Sequence, residues 1–168
     1  MAGPAPENAE HGNLVVLHAS TIAAGDRAAL IRGASGTGKS DLALRCISKA
    51  PTPLLPQQAR LVSDDQTIIE RSNGQLLVSA PEQIAGLLEV RGIGILPVND
   101  AVAPGKTPLA LVVDFDERAE KPERLPDPWP TVAILGVEVP LLRLRFNEVS
   151  AAERLLLALS CYSLPATG

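Results

Sequence analysis

The sequence predicts a single α/β domain in which a helix packs against one face of a mixed β-sheet, with hairpins at an edge. Three observations predict this class: short apolar runs separated by turn residues, a glycine-rich segment between a strand-like and a helix-like run, and an Asn-Gly pair between two apolar runs. A length of 168 residues suits one domain. We expect residues 13–168 to form it and residues 1–12, which are polar and contain prolines, to form a flexible tail.

The amino-terminal part of the chain predicts two strands and a helix. The strands are Leu14–Leu17 and Ala28–Ile31, with a turn at Gly25-Asp26 between them. From Lys39 onward the apolar residues take helical spacing. Prolines from Pro51 onward end that helix and form a stiff connector.

The middle of the chain predicts a strand, a hairpin and a long loop. Leu61–Ser63 is strand-like, and residues 67–78 form a hairpin with Asn73-Gly74 as its turn. A short helix follows Pro81. We expect the stretch from Val98 to Pro108 to be a mobile loop.

The carboxyl-terminal part predicts two more strands and a closing helix. Leu109–Val113 and Val137–Leu144 are the strands, and the charged, proline-bearing stretch Glu117–Pro130 is an exposed loop. The helix begins at about Ser150, where Ser150 and Glu153 have the spacing of a capping box.

The composition excludes several classes of protein. A net charge of −4 argues against a nucleic-acid-binding surface, which needs clustered basic residues. No apolar run approaches the roughly 18 residues of a membrane span, and Met1–His11 lacks the basic and apolar regions of a signal peptide. For the two isolated thiols, Cys46 and Cys161, we expect a structural role in a reduced protein. These observations predict a soluble, cytoplasmic protein.

The glycine-rich segment matches the phosphate-binding P-loop motif G-x-x-x-x-G-K-[ST] at every fixed position. Its glycines let backbone N–H groups surround phosphate oxygens. Lys39, expected to be an exposed, ligand-facing charge, attracts the β- and γ-phosphates, and the Ser40 hydroxyl can bind Mg²⁺. A ligand-free glycine-rich turn is disfavoured, because a strand precedes the complete motif and a helix follows it. The predicted site for ATP and Mg²⁺ consists of Gly33, Ala34, Ser35, Gly36, Thr37, Gly38, Lys39 and Ser40.

Two carboxylates, Asp64 and Asp65, follow the strand predicted at residues 61–63. A carboxylate in this position can hold Mg²⁺ or accept the proton of an attacking hydroxyl. Taken alone, the dipeptide favours a solvated acidic turn. Beside a P-loop the catalytic interpretation is favoured, because phosphoryl transfer needs such a carboxylate.

Three further features have an ordinary structural explanation when each is taken alone. Glu89–Ile95 has two glycines that let backbone approach a ligand, yet its pattern also suits a half-buried strand with an exposed ion pair. His18 ends the first predicted strand, where a single histidine is more often structural than catalytic. Arg124 lies in a proline-rich loop, where arginine is usually a solvated charge.

Together these segments resemble the catalytic domain of HPr kinase/phosphorylase, a bacterial enzyme that phosphorylates a serine of the carrier protein HPr. Gly33–Ser40 has the family form G-x-S-G-x-G-K-S, and Leu61–Asp65 is similar to the family's L-V-A-D-D. Leu88–Ile95 is similar to the signature L-E-I-R-G-L-G-I, which is far more specific than the P-loop. The resemblance covers residues 14–125 well and the rest of the chain loosely.

The resemblance implies a fold, a reaction and a set of residue roles. The fold is a P-loop kinase domain with a mixed β-sheet. The reaction is the ATP- and Mg²⁺-dependent phosphorylation of a serine on an HPr-like phosphocarrier protein, which regulates the phosphotransferase system and carbon and nitrogen metabolism. The implied roles are the active-site histidine for His18, the phosphate-binding lysine for Lys39, the base for Asp65 with Asp64 beside it, Mg²⁺ ligands for Ser40 and Glu89, and the arginine that steadies the transferring phosphoryl group for Arg124.

The sequence also departs from the family in three places. Only a short tail precedes His18, where the family has a regulatory domain, and Pro51–Gln58 lengthens the segment that follows the P-loop. Residues 143–148 read Arg-Leu-Arg-Phe-Asn-Glu where the family carries a P-V-x-x-G-R-N element tied to the reverse, dephosphorylating reaction. We therefore expect kinase activity more than phosphorylase activity.

Two other functions remain open from the sequence. A P-loop kinase of small molecules would normally carry an arginine-rich lid, and Glu117–Pro130 offers only Arg118 and Arg124. A nucleotide-sensing module without chemistry predicts decay of the aspartate pair or of Glu89, yet all three residues are present. A homo-oligomer is compatible with the sequence.

Overall fold

A computed structural model of the chain describes residues 12–117, 123–124 and 126–161. These residues form ten strands, two α-helices and two 3₁₀ turns. The strands are β1 (Leu14–Ala24), β2 (Arg27–Arg32), β3 (Ala59–Ser63), β4 (Gln66–Ser72), β5 (Gln75–Ser79), β6 (Leu87–Val90), β7 (Gly94–Pro97), β8 (Thr107–Phe115), β9 (Thr131–Ile134) and β10 (Val137–Leu144), and the helices are α1 (Lys39–Ile47) and α2 (Ala151–Cys161).

The large sheet contains eight of these strands and is mixed, as predicted. β1 is antiparallel to β2, β3 and β4, whereas β8 is parallel to β2 and β10 and antiparallel to β5. The pairings β1–β4–β5–β8–β2–β1 therefore close a ring. Strands β6 and β7 form a separate two-stranded hairpin.

Strand β1 is much longer than the predicted Leu14–Leu17. Its first half, Leu14–His18, pairs with β4, and its second half, Ala19–Ala24, pairs with β2. The prediction that His18 ends a strand was therefore wrong. The second half was missed because it is rich in small and polar residues, which are nevertheless buried between neighbouring strands.

The hydrophobic core lies on both faces of the large sheet. Helices α1 and α2 pack on one face through residues such as Leu42 and Leu155, and a second cluster around Ile69 and Val78 fills the other face. Leu, Val, Ile and Ala supply most of the core, as the scarcity of aromatics predicts. Phe115, at the end of β8, is the largest fully buried side chain.

The predicted hairpins are present, although their positions differ. Asn73 and Gly74 have φ values of 50° and 76°, as the two-residue turn between β4 and β5 requires. That hairpin lies inside the sheet, because β5 also pairs with β8. The hairpin at the sheet edge consists of β9 and β10, and β9 (Thr131–Ile134) was not predicted.

The two predicted loops are more structured than expected where the structure describes them. Ala103 N–H donates to Leu61 O at 2.7 Å, so the stretch after Val98 is tied to β3 and is not the free loop expected there. In the second loop, Glu123 and Arg124 are exposed as predicted, whereas Trp129 packs against the core. Residues 118–122 and 125 of that loop lie outside the described residues, as do residues 1–11 of the predicted tail.

The two helices begin where predicted, and one ion pair links α2 to the segment just after α1. Ser150 directly precedes α2, while Glu153, the other member of the predicted capping box, forms an ion pair with Lys49 at the end of α1. A second pair, Arg154 with Glu148, fixes the turn before α2. Neither described helix is long and apolar enough to cross a membrane.

The two cysteines occupy different environments. Cys46 on α1 is fully buried, and burial raises the pKa of its thiol to about 12. Cys161 at the end of α2 is exposed, so the structural role expected for both thiols fits only Cys46.

Candidate functional site

The P-loop connects β2 to α1, and its glycines are required by its shape. A Cβ atom at Gly33 would collide with the carbonyl oxygen of Phe115 on the neighbouring strand. Gly36 and Gly38 have φ values of 80° and 89°, in the left-handed region that favours glycine. The first intrahelical bond of α1 runs from Leu42 N–H to Gly38 O at 2.9 Å. Helix geometry therefore leaves the amides before Leu42 without intrahelical acceptors, an arrangement that suits an anion.

The ammonium group of Lys39 is turned back onto the loop. Its Nζ donates to Gly33 O at 2.9 Å and to Ala34 O at 3.0 Å, and the residue is only 6% exposed. The expectation of an exposed charge was therefore wrong. Burial lowers the pKa of Lys39, while the carboxylates of Asp65 and Asp64 act in the opposite direction. A phosphate bound in the loop would meet a cation that belongs to the same loop and is shielded from solvent.

The carboxylate of Asp64 is a buried junction between three elements. Its Oδ1 accepts hydrogen bonds from Ser20 Oγ of β1 at 2.6 Å and from Ser40 Oγ of α1 at 2.8 Å. Its Oδ2 accepts from the backbone N–H of Glu89 on β6 at 3.1 Å. Asp64 thus fixes the P-loop serine relative to the strand that carries the signature segment.

Asp65 faces the opposite way from Asp64. Its φ of 68° is left-handed, a conformation that aspartate adopts more readily than most residues. The change of direction leaves the Asp65 side chain 64% exposed, with Oδ1 at 3.2 Å from His18 Nδ1. Adjacent residues of one turn therefore give a buried, fully bonded carboxylate and an accessible one.

Most of the predicted site residues line one cleft of about 420 Å³, which we call the P-loop cleft. Asp64 lies beneath it, and Gly33 and Ala34 border a neighbouring pocket. The described lining does not include Arg124, so the structure does not bring that residue to the others. The lining consists of His18, Ser20, Ser35, Gly36, Thr37, Gly38, Lys39, Ser40, Asp41, Leu44, Asp65, Glu89, Val90, Arg91, Phe115 and Phe146.

The oxygen groups at the cleft suit a hard divalent cation. The Ser40 hydroxyl already contacts the Asp64 carboxylate, and the Glu89 side chain is exposed on the strand whose backbone binds the same carboxylate. Hydroxyl and carboxylate oxygens are the ligands that Mg²⁺ takes alongside substrate phosphates. The donor set fits the predicted Mg²⁺, although the ligand roles of Ser40 and Glu89 remain predictions.

Ser20 and Phe146 are among the lining residues that were not found from the sequence. Ser20 lies two residues after His18, and this spacing places both on one face of β1, so strand periodicity could have indicated it. Phe146 follows β10 and reaches the cleft only through the tertiary fold.

The site has the form of a P-loop domain of α/β class. A strand leads into a glycine-rich loop, the loop leads into a helix, and a buried lysine lies at the start of that helix. The family model for the HPr Serine kinase C-terminal domain matches residues 5–158. The chain belongs to that family.

Individual relatives agree with this assignment. A protein named HPr kinase/phosphorylase from Exiguobacterium sp. is 35% identical over 145 residues, which are 82% of this chain and 42% of that protein. One of the same name from Clostridium botulinum is 42% identical over 95 residues, covering 56% of this chain and 26% of that protein. The chain spans about two fifths of the length of the former relative.

A solved structure, the Hpr(Ser) kinase/phosphatase from Coxiella burnetii, shares the fold. It superposes with a TM-score of 0.67 at 28% sequence identity, covering 85% of this chain and 93% of that one. The mixed-sheet P-loop fold predicted from the sequence is therefore confirmed.

Proposed function

We propose that this chain is an ATP- and Mg²⁺-dependent kinase that phosphorylates a serine of an HPr-type phosphocarrier protein. The observation that carries the proposal is the pair formed by His18 and Asp65, which places an accessible carboxylate in the same cleft as the P-loop. A domain that only binds nucleotide has no need for a base at this position.

The P-loop supplies the anion-binding part of the proposed site. Free amides at the start of α1 and the Lys39 ammonium bind the β- and γ-phosphates of ATP. Lys39 exchanges contacts with loop carbonyls for contacts with phosphate oxygens, a short movement because both lie in one loop. Ser40 and Glu89 would hold Mg²⁺, and Asp64 orients the Ser40 hydroxyl. The bound ion would neutralise charge on the transferring phosphoryl group.

Asp65 acts on the acceptor. Its exposed carboxylate accepts the proton of the serine hydroxyl as the serine oxygen attacks the γ-phosphorus. The new O–P bond forms while the bond between the γ-phosphorus and the bridging oxygen breaks, and ADP leaves. His18 orients Asp65 from β1 through the 3.2 Å contact and so keeps the carboxylate directed at the cleft.

The identity of the acceptor rests on the relatives, since their names specify HPr. With an HPr-type acceptor, the proposed place of action is the cytoplasm, and the proposed role is regulation of the phosphotransferase system and of carbon and nitrogen metabolism. Arg124, the arginine expected to steady the transferring phosphoryl group, is exposed and does not line the P-loop cleft, so the proposed mechanism assigns it no step.

Incubation with γ-labelled ATP, Mg²⁺ and purified HPr tests the proposal directly. We expect one label per HPr, located on serine by peptide mapping, and labelling at least about a hundredfold slower with Asp65→Asn. Transfer to a small molecule instead of HPr would favour a small-molecule kinase, and tight ATP binding without transfer to any acceptor would favour a sensing module. Both results would overturn the proposed function.

A further inference from the structure

The exposed ring of Phe146 points to a binding site for the nucleotide base. Three aromatic residues belong to the described part of the chain, and their environments differ. Phe115 is fully buried beneath Gly38, and Trp129 packs against the core. Phe146 is 44% exposed and lines the P-loop cleft, although exposure of a large apolar ring is unfavourable without a ligand.

The phosphate-binding part of the cleft ends at the first turn of α1. Leu42 N–H already bonds to Gly38 O, so the last backbone donor that helix geometry leaves free is Asp41 N–H. Leu44 lies on the same helix four residues after Ser40, which is about 6 Å further along the axis. Leu44 and Phe146 both line the cleft and supply apolar surface beyond the phosphate donors.

The opposite end of the cleft belongs to the proposed chemistry. Along the pairing order β1–β2–β8–β10, the strand that carries His18 and the strand that precedes Phe146 are separated by two others. The P-loop leaves the sheet from β2, between these two strands. A nucleotide whose γ-phosphate faces Asp65 therefore extends its base toward the segment that follows β10.

The segment that carries Phe146 is held in place on both sides. Arg45 Nη2 of α1 donates to Val149 O at 2.6 Å, which fixes the segment against the P-loop helix. The Glu148 carboxylate accepts from Arg145 N–H at 3.3 Å and pairs with Arg154 of α2. A ring carried by a braced turn loses little conformational entropy when a flat ligand stacks on it.

We propose that Phe146, with Leu44, forms a stacking subsite for the base of the nucleotide. The inference rests on the proposed nucleotide-dependent function and adds the residue that binds the base. Stacking on an aromatic ring is tolerant of base identity, because every base presents a π-face. The subsite therefore accepts adenine and guanine alike and contributes affinity more than selectivity.

Calorimetric titration of the purified chain with ATP, GTP and inorganic tripolyphosphate, each with Mg²⁺, tests this subsite. We expect Phe146→Ala to weaken ATP and GTP binding about tenfold and to leave tripolyphosphate binding unchanged, since only the base is lost from the contact. Phe146→Trp should restore nucleotide affinity. Val149→Ala is the matched control, because the Val149 side chain is 91% exposed in the same turn. This variant should bind all three ligands as the wild type does.

Three results would overturn the subsite. One is unchanged ATP affinity in Phe146→Ala, and another is an equal loss of ATP and tripolyphosphate affinity, which would mean a disturbed P-loop. The third is a rise in the KM for HPr with unchanged ATP affinity, which would assign the ring to acceptor binding. Wild-type protein that binds neither ATP nor tripolyphosphate would overturn the proposed function, and this inference with it.

Discussion

His18 Nδ1 lies 3.2 Å from Asp65 Oδ1, while Ser20 Oγ, two residues further along β1, lies 2.6 Å from Asp64 Oδ1. One face of one strand therefore holds both carboxylates of the acidic turn. The deeper contact is buried and the outer one is exposed, so the turn carries one buried and one accessible carboxylate.

Asp65→Asn should abolish transfer to serine without weakening ATP binding. Asparagine tolerates the left-handed φ of 68° and keeps an oxygen that can face His18, so the turn is preserved while the base is lost. We expect kcat to fall by about 10²- to 10⁴-fold, the usual contribution of a general base. Turnover and ATP affinity are to be measured on the same preparation, and kcat within a few-fold of the wild type would exclude Asp65 as the base.

Lys39→Ala should remove phosphoryl transfer while the chain remains folded. The lysine is the only side-chain cation among the described P-loop residues, and its loss removes the charge placed for the β- and γ-phosphates. Because Gly33 and Ala34 carbonyls lose a donor, we expect the free energy of unfolding to fall by no more than about 2 kcal/mol. Urea denaturation checks the fold, and retention of more than about a tenth of the activity would contradict the P-loop assignment.

Ser20→Ala tests the buried junction at Asp64. The substitution removes a hydrogen bond to the Asp64 carboxylate, and both partners of that bond are buried. The free energy of unfolding should therefore fall by about 1.5–3 kcal/mol. Ser160→Ala is the matched control, because Ser160 is exposed and its hydroxyl contacts only near neighbours in the chain, Leu157 O and Cys161 Sγ, so about 0.5 kcal/mol or less is expected. Equal urea midpoints for the two variants would show that the Ser20 contact contributes nothing.

The two thiols should react at very different rates. Because burial raises the pKa of Cys46 to about 12, its thiol stays protonated and unreactive throughout the range from pH 7 to 9. Cys161 is exposed, so a thiol reagent at pH 8 should modify one cysteine in the native protein and two in urea. Cys161→Ser should remove the fast phase. A fast reaction in that variant would mean that α1 opens readily.

The features that the sequence predicted well are those set by local chemistry. The P-loop glycines and the Asn73-Gly74 turn depend on backbone conformations that few other residues adopt, so their positions follow from residue type alone. Strands with large apolar residues, such as β8, were also found, since their burial is visible in composition. The mixed sheet followed from these elements.

The features that were missed depend on contacts and backbone conformations that residue type alone does not reveal. The second half of β1 is a strand because β2 and β3 flank it, and its Ala, Ser and Thr residues show no apolar pattern. The side chains of Asp64 and Asp65 differ in burial because Asp65 has a left-handed φ, and two adjacent aspartates in a sequence do not predict that conformation. Lys39 was expected to be exposed. It is buried because its Nζ bonds to two carbonyls of its own loop, and the shape of the loop that brings them within reach is not visible in the sequence.

The last prediction concerns the direction of the proposed reaction. Reversal requires the site to bind a phosphoserine and to activate inorganic phosphate as the nucleophile, so it needs more anion-binding groups than the forward step. In the HPr kinase/phosphorylase family a Gly-Arg-Asn element is tied to the dephosphorylating reaction, and residues 143–148 lack this element. At the end of β10, Leu142 and Leu144 are buried while Arg143 is exposed. Arg143 borders the pocket beside Arg32 and Asp114, and it is not among the residues that line the P-loop cleft.

We therefore expect dephosphorylation of seryl-phosphorylated HPr by inorganic phosphate to be at least about tenfold slower than its phosphorylation by ATP, a difference equivalent to about 1.4 kcal/mol in the barrier. Both rates are to be measured at saturating substrates with one enzyme preparation, by following the label on HPr. Comparable rates would refute the prediction. An Arg143→Ala/Arg145→Ala double variant would then decide whether these side chains supply the missing anion contacts. Selective loss of the reverse rate would assign the role to them. The forward rate should persist, because the forward step already has Lys39 and the amides of α1 for its phosphates.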